Sequence, residues 1–178
     1  MVYSFKVPLD RVGVMVGHKG KTLKMLSDRC GARIEVNSET GEVTMFDDMA
    51  KDAYITYRMR DVLKAMARGF SPEKALKLLD DQIYYEEHDI RDYAGKSHKR
   101  VQQVRSRVIG SDGKTRRLIE NLTDCMMSVK GNTVALIGDL EGLKVASKAV
   151  MMVLQGSEHS SVYSFMERKR KDLKLARW

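Results

Sequence analysis

The chain has 178 residues, room for one large domain or two small ones, and its 43% hydrophobic content allows buried cores and argues against wholesale disorder. It carries 32 Lys+Arg against 24 Asp+Glu, a net of +8. That surplus favours a polyanionic partner, because a basic surface gains affinity by releasing the cations condensed on phosphates.

The elements are best read as a repeat. Residues 16–22 are Val-Gly-His-Lys-Gly-Lys-Thr and residues 109–115 are Ile-Gly-Ser-Asp-Gly-Lys-Thr, a constant offset of 93. At that offset Leu26, Ala32, Ile34 and Val36 meet Ile119, Cys125, Met127 and Val129. In the first copy, alternation of Tyr3, Phe5 and Val7 predicts a strand, followed after Pro8 by a short helix. The glycine loop comes next, then a helix with Leu23, Leu26 and Cys30 at helical spacing, stopped by Gly31. Two strands, 32–37 and 42–46, are joined by a turn containing Asn37, Ser38 and Gly41. A long helix with Ile55, Met59, Val62 and Met66 along one stripe closes the unit at Gly69.

Ser71-Pro72 is a helix start, with Ser as N-cap and Pro at the first position, and predicts a bridging helix through Leu76, Leu79 and Ile83. In the second copy the opening strand is read at 89–93 and the closing helix from about Leu140 to Gln155. The expected fold is α+β, two tandem modules of order β-α-α-β-β-α. Each is a three-stranded antiparallel sheet with helices packed on one face. The expected boundaries are 1–82, the first module with the bridging helix, and 83–178, the second with a basic C-terminal helix. Tyr163, Phe165, Met166, Leu173 and Leu175 would let that last helix dock on the module or on a partner.

The chemistry lies at Gly17-His18-Lys19-Gly20 and Gly110-Ser111-Asp112-Gly113. Glycines without Cβ atoms let a sugar-phosphate backbone lie against the main chain, and the following helix offers free N–H groups and a positive dipole end. Lys21 and Lys114 add charge, while Val16, Leu26, Ile34 and Val36, with Ile109 in the second copy, are expected to line a narrow groove. Such a groove suits about four nucleotides of single strand and excludes a duplex. Cations concentrate around the second loop: Lys96, His98, Lys99, Arg100, Arg105 and Arg107 before it, Arg116 and Arg117 after it. The run Arg168-Lys169-Arg170-Lys171 is a further candidate contact for RNA or a protein partner. Asp112 beside a phosphate would be repulsive unless it turned away or capped the next helix.

Other chemistries fit poorly. A P-loop would need a first glycine at Met15 and Val108. With 7% aromatics and one Trp, broad stacking platforms are not expected. The string Tyr84-Tyr85-Glu86-Glu87-His88-Asp89 is read as a solvated polar face rather than a metal cluster, and the four histidines show no ligand or triad spacing. No nucleophile, acid–base pair, cofactor or metal is therefore expected, and the protein reads as non-enzymatic. Cys30 and Cys125 are far apart and without ligand spacing, which suits buried thiols in a reducing, cytoplasmic setting. No window approaches ~18 uninterrupted apolar residues, so no membrane span is expected.

The chain resembles the archaeal members of the Partner-of-Nob family, K-homology (KH) factors of small-ribosomal-subunit assembly. Carrying the resemblance are Gly-x-x-Gly-Lys-Thr in each module, Gly69-Phe70-Ser71-Pro72-Glu73-Lys74-Ala75, Asp89-Ile90-Arg91-Asp92-Tyr93, and the ending Gly156-Ser157-Glu158-His159-Ser160-Ser161-Val162-Tyr163 with Glu167–Leu173. The resemblance implies two type I KH modules that bind the 3′ region of small-subunit ribosomal RNA. It also implies contact with the Nob endonuclease and with the alpha subunit of initiation factor two. Two other readings remain open at this point: a tandem-KH transcription or RNA-decay factor, and a protein-interaction adaptor whose loops no longer bind RNA.

Overall fold

In the computed structural model, residues 2–46 and 52–176 are described, without the side chains of Leu173 and Ala176. The role expected of Leu173 therefore lies outside the described residues. The chain divides into two units, Met1–Asp80 and Asp81–Trp178.

The first unit runs β1 (Val2–Lys6), α1 (Leu9–Val16), α2 (Lys21–Cys30), β2 (Arg33–Val36), β3 (Glu42–Phe46), α3 (Ala53–Ala67) and a single turn, α4 (Pro72–Ala75). Its sheet has the order β1-β3-β2, antiparallel throughout, with Tyr3 opposite Met45 and Ile34 opposite the same residue from the other side. Asn37 shapes the β2–β3 turn, its side-chain oxygen accepting from the N–H groups of Glu39 and Thr40. Asp52 caps α3 by accepting from the N–H of Tyr54 at 2.8 Å. Fully buried Met15, Leu26, Met45, Met59, Leu63 and Met66 build the core, methionines filling irregular space between helices and sheet. Each such side chain stabilises the fold by roughly 1.5–3 kcal/mol.

The second unit repeats the order: β4 (Ile83–Asp89), α5 (Arg91–Ala94), α6 (His98–Ile109), α7 (Lys114–Thr123), β5 (Met126–Lys130), β6 (Thr133–Asp139) and α8 (Leu140–Leu154). Its sheet order, β4-β6-β5, matches the first. Even the helix ends correspond. Gly31 (φ 64°) terminates α2 in the left-handed region, and Asp124 (φ 56°), at the same repeat offset, terminates α7. An additional helix, α9 (His159–Ala176), packs on α7 and α8 and buries Val162 and Met166. Docking on its own module is thus what the amphipathic pattern encodes.

Three expectations need correction. The bridging helix is shorter than its pattern: α4 passes into a 3-10 turn over Leu76–Leu79, and Ile83 opens β4. The opening strand of the second unit is Ile83–Asp89 rather than 89–93. Asp89 ends it: its carboxylate accepts from the N–H of Arg91 at 2.8 Å and grips that guanidinium at 2.6 Å, turning the chain into α5. Nor are residues 84–89 a purely solvated face. Alternation turns Glu86 and His88 towards α8, where the Ser147 hydroxyl donates to Glu86 at 2.5 Å and lies 3.0 Å from His88 Nε2.

Candidate nucleic-acid interface

Both glycine loops adopt one backbone conformation. In the first, Gly17 has φ/ψ of 72°/177°, Lys19 52°/34° and Gly20 75°/7°. In the second, Gly110 has 76°/172°, Asp112 50°/28° and Gly113 73°/18°. Three of every four residues are thus linked to positive φ, and at Lys19 and Asp112 a side chain tolerates it. Asp is among the residue types that enter this region most readily, which accounts for Asp112. It does not cap α7: the N-cap is Gly113, and no side chain caps that helix. The capping role proposed from sequence is therefore corrected.

The two glycines of each loop do different work. A Cβ on Gly17 would collide with the Thr22 hydroxyl and lie 2.9 Å from its amide nitrogen. A Cβ on Gly110 would collide with Thr115 in the same way, at 2.7 Å from the nitrogen. The first glycine thus lets the loop close on the helix that follows. Around Gly20 there is open space, and around Gly113 only the Arg117 side chain comes within 4.0 Å. The second glycine is the one a ligand backbone can approach. Immediately behind it, α2 and α7 begin on Gly20 and Gly113 with no side-chain cap, so their first N–H groups face outward.

Charge around the loops is divided between scaffold and surface. His18, Lys19 and Lys21 are exposed at the first loop, as are Ser111, Asp112, Lys114 and Arg117 at the second. Three arginines expected at the RNA surface also make contacts within the module. Arg105 donates to the carbonyl of Gly131 at 3.2 Å, and Arg107 to that of Ser157 at 2.6 Å. Arg116 lies 3.6 Å from Glu120, whose other oxygen accepts from the N–H of Met127. Fewer apolar side chains than expected are available to line the groove. Val16, Val36 and Ile109 stay partly exposed, but Ile34 retains 5% of its surface and Leu26 none. Their repeat partners Met127 and Ile119 are equally buried, so these positions belong to the core. Arg168, Lys169, Arg170 and Lys171 are exposed on α9, beyond Met166, the last fully buried side chain of that helix among the described residues.

Sequence reasoning passed over the two threonines, although the shared Lys-Thr ending displayed them. Thr115 is almost fully buried, and its hydroxyl lies 2.9 Å from that of Tyr163 on α9. Tyr163 stacks on His159, whose Nε2 is 2.9 Å from the carbonyl of Arg107. The second loop is therefore braced from α9. Among the described residues no side chain bonds the Thr22 hydroxyl, and the first loop lacks that brace. Among the described residues, no cluster of three or more His, Cys, Asp or Glu is arranged to hold a metal, and no helix is long and apolar enough to cross a membrane.

Comparison with known proteins gives the same outline. Residues 2–50 match the model of the KH domain, and residues 84–171 that of the eukaryotic-type (type I) KH domain. The KH domain-containing protein MJ0443 of Methanocaldococcus jannaschii is 43% identical over 97% of this chain and 76% of its own length. Crystalline Dim2p from Pyrococcus horikoshii shares 37% identity, with a TM-score of 0.85, over 94% of this chain and 99% of that one. A second crystal structure from that organism, of a complex of a/eIF2alpha, aDim2p and rRNA, matches with a TM-score of 0.88 at 37% identity, over 97% and 96% of the two chains. Two KH folds with the same loop geometry, and likeness to these relatives over 76–99% of their length, lead to one conclusion: the chain belongs to the archaeal Partner-of-Nob (Dim2) family of KH-domain RNA-binding proteins.

Proposed function

We propose that this protein binds the 3′ region of small-subunit ribosomal RNA as a single strand and serves ribosome assembly without catalysis. The observation that carries this reading is the duplicated loop: one backbone conformation twice, the second glycine open, and an uncapped helix start behind it. A strand laid there meets outward N–H groups and Lys21 or Lys114, while the narrow groove excludes paired bases. The relative crystallised with rRNA and a/eIF2alpha supports a ribosomal ligand, and makes the initiation factor's alpha subunit a reasonable protein partner. A Nob-type endonuclease is a partner by family resemblance. The proposed division of labour follows the two units, a first KH module and a second one extended by α9.

The test is a titration of labelled single strand matching the 3′ end of small-subunit rRNA, beside a scrambled strand and a duplex, at two salt concentrations. Preference for the matching strand with a log–log salt slope of roughly −3 to −4, for about four to six phosphates, supports the reading. Equal affinity for scrambled strand would leave RNA binding and remove the ribosomal assignment.

A further inference from the structure

Besides the loop, the second unit carries a cleft of about 660 Å³ between α5, α6 and the end of α8. Its walls include Tyr93 of α5, then Lys99, Arg100, Gln103 and Arg107 of α6, and Gln155 just past α8. At 3.6 residues per turn, Gln103 and Arg107 fall within about 60° of Arg100 around α6. Arg105, which reaches the Gly131 turn, lies about 140° away. The cleft is thus on a different side of α6 from that turn.

Lys99, Arg100 and Arg107 outnumber the Asp92 carboxylate on the same walls, so the cleft is net positive. Among the described residues, Lys99, Arg100 and Arg107 form no ion pair. The Arg107 guanidinium is held in place by Ser157, and the bond uses only Nη2. Its Nε and Nη1 have no hydrogen-bond acceptor among the described residues, leaving a fixed fork of donors of the kind that suits phosphate. Beside it are an aromatic ring and two side-chain amides, each amide both donor and acceptor. An acidic peptide would use the cations but has little need of paired amides and a ring. A nucleotide uses all three.

We propose that this cleft is an accessory nucleotide pocket. It takes a nucleotide of the bound single strand outside the stretch held at the Gly110–Gly113 loop, with Arg100 and Arg107 on phosphate and Gln103 on the base edge. The inference rests on RNA being the ligand of the loops.

Two labelled strands with the same core separate the possibilities: one of about four nucleotides, which the groove alone accommodates, and one of about twelve. Wild-type protein should bind the longer strand about tenfold tighter. Arg100→Glu, at an exposed position, should abolish that gain, leave the short strand within about twofold, and lower the salt slope on the long strand by about one. Gln103→Ala removes no charge, yet should reduce the gain about threefold, which an unspecific field effect would not do. If both variants keep the full gain, the pocket is overturned while the loop reading stands. If instead the gain persists and Arg100→Glu loses binding of a polyglutamate peptide, the cleft is a protein-docking site and the proposal falls. If wild type binds neither strand, the RNA reading itself fails and takes the pocket with it.

Discussion

The hydroxyl of Tyr163 sits 2.9 Å from that of Thr115, joining the C-terminal helix to the buried threonine on which Gly110 closes. Tyr163→Phe removes one half-buried hydrogen bond and leaves Thr115 without its partner. The expected cost is about 1 kcal/mol in urea unfolding, with m unchanged. RNA affinity should fall several-fold, and only for binding that still depends on Gly113. A stability loss with unaltered affinity would mean that the brace holds α9 alone.

The first and second glycines should fail differently. Gly110→Ala drives a methyl into Thr115 at positive φ, and a loss of 2 kcal/mol or more is expected, roughly the sum of backbone strain and overpacking. Gly113→Ala meets only the Arg117 side chain at 4.0 Å, and its cost should stay near the ~1 kcal/mol of the left-handed backbone. Thermal unfolding of the two variants gives the comparison.

Asp112→Asn keeps a residue type at ease at φ 50° while deleting a negative charge beside the proposed phosphate path. Affinity for single-stranded RNA should rise about two- to fivefold at low salt, with the difference shrinking as salt increases. An unchanged affinity at low salt would place the strand away from this loop.

In the first unit, Arg11 donates to the carbonyls of Met66 at 2.9 Å and Phe70 at 2.6 Å, tying α1 to the end of α3. Arg11→Met should destabilise that unit by about 2–3 kcal/mol, because two part-buried carbonyls lose charged donors. Hydrogen exchange at the end of α3 would report it directly.

Burial pushes the Asp61 carboxyl above the usual carboxylate range, with Lys64 and Arg58 pulling it partly back. A raised folded-state pKa means the native state holds the proton more tightly. The favourable contribution is complete below the unfolded value near about 3.9 and is lost as pH rises through the folded one. Asp61→Asn should therefore raise the melting temperature by about 1–3 °C at pH 7 and change it little near pH 3.

The repeat made much of this architecture legible. Leu26 and Ile119, Ala32 and Cys125, Ile34 and Met127 are core pairs because the same alternation was written twice. Where it hid structure, the cause was local chemistry. In β4 the polar run Glu86-Glu87-His88 masks a strand whose inward polar groups are satisfied by Ser147, a partner 61 residues from Glu86. Position within a charge run could not tell Arg105, Arg107 and Arg116, which bond the scaffold, from Lys114 and Arg117, which stay at the surface. Thr22 and Thr115 stood in plain view, but their purpose depends on a clearance that exists only in the folded loop.

In the proposed function, each glycine loop seats a single RNA strand on its open second glycine. The most direct measurement compares wild type, Gly20→Asp, Gly113→Asp and the double variant in single-strand RNA titrations, with circular dichroism as the folding control. The account predicts folded variants, a loss of about tenfold or more from at least one single change, and no specific binding by the double variant. A double variant that is folded and binds RNA like the wild type would contradict it.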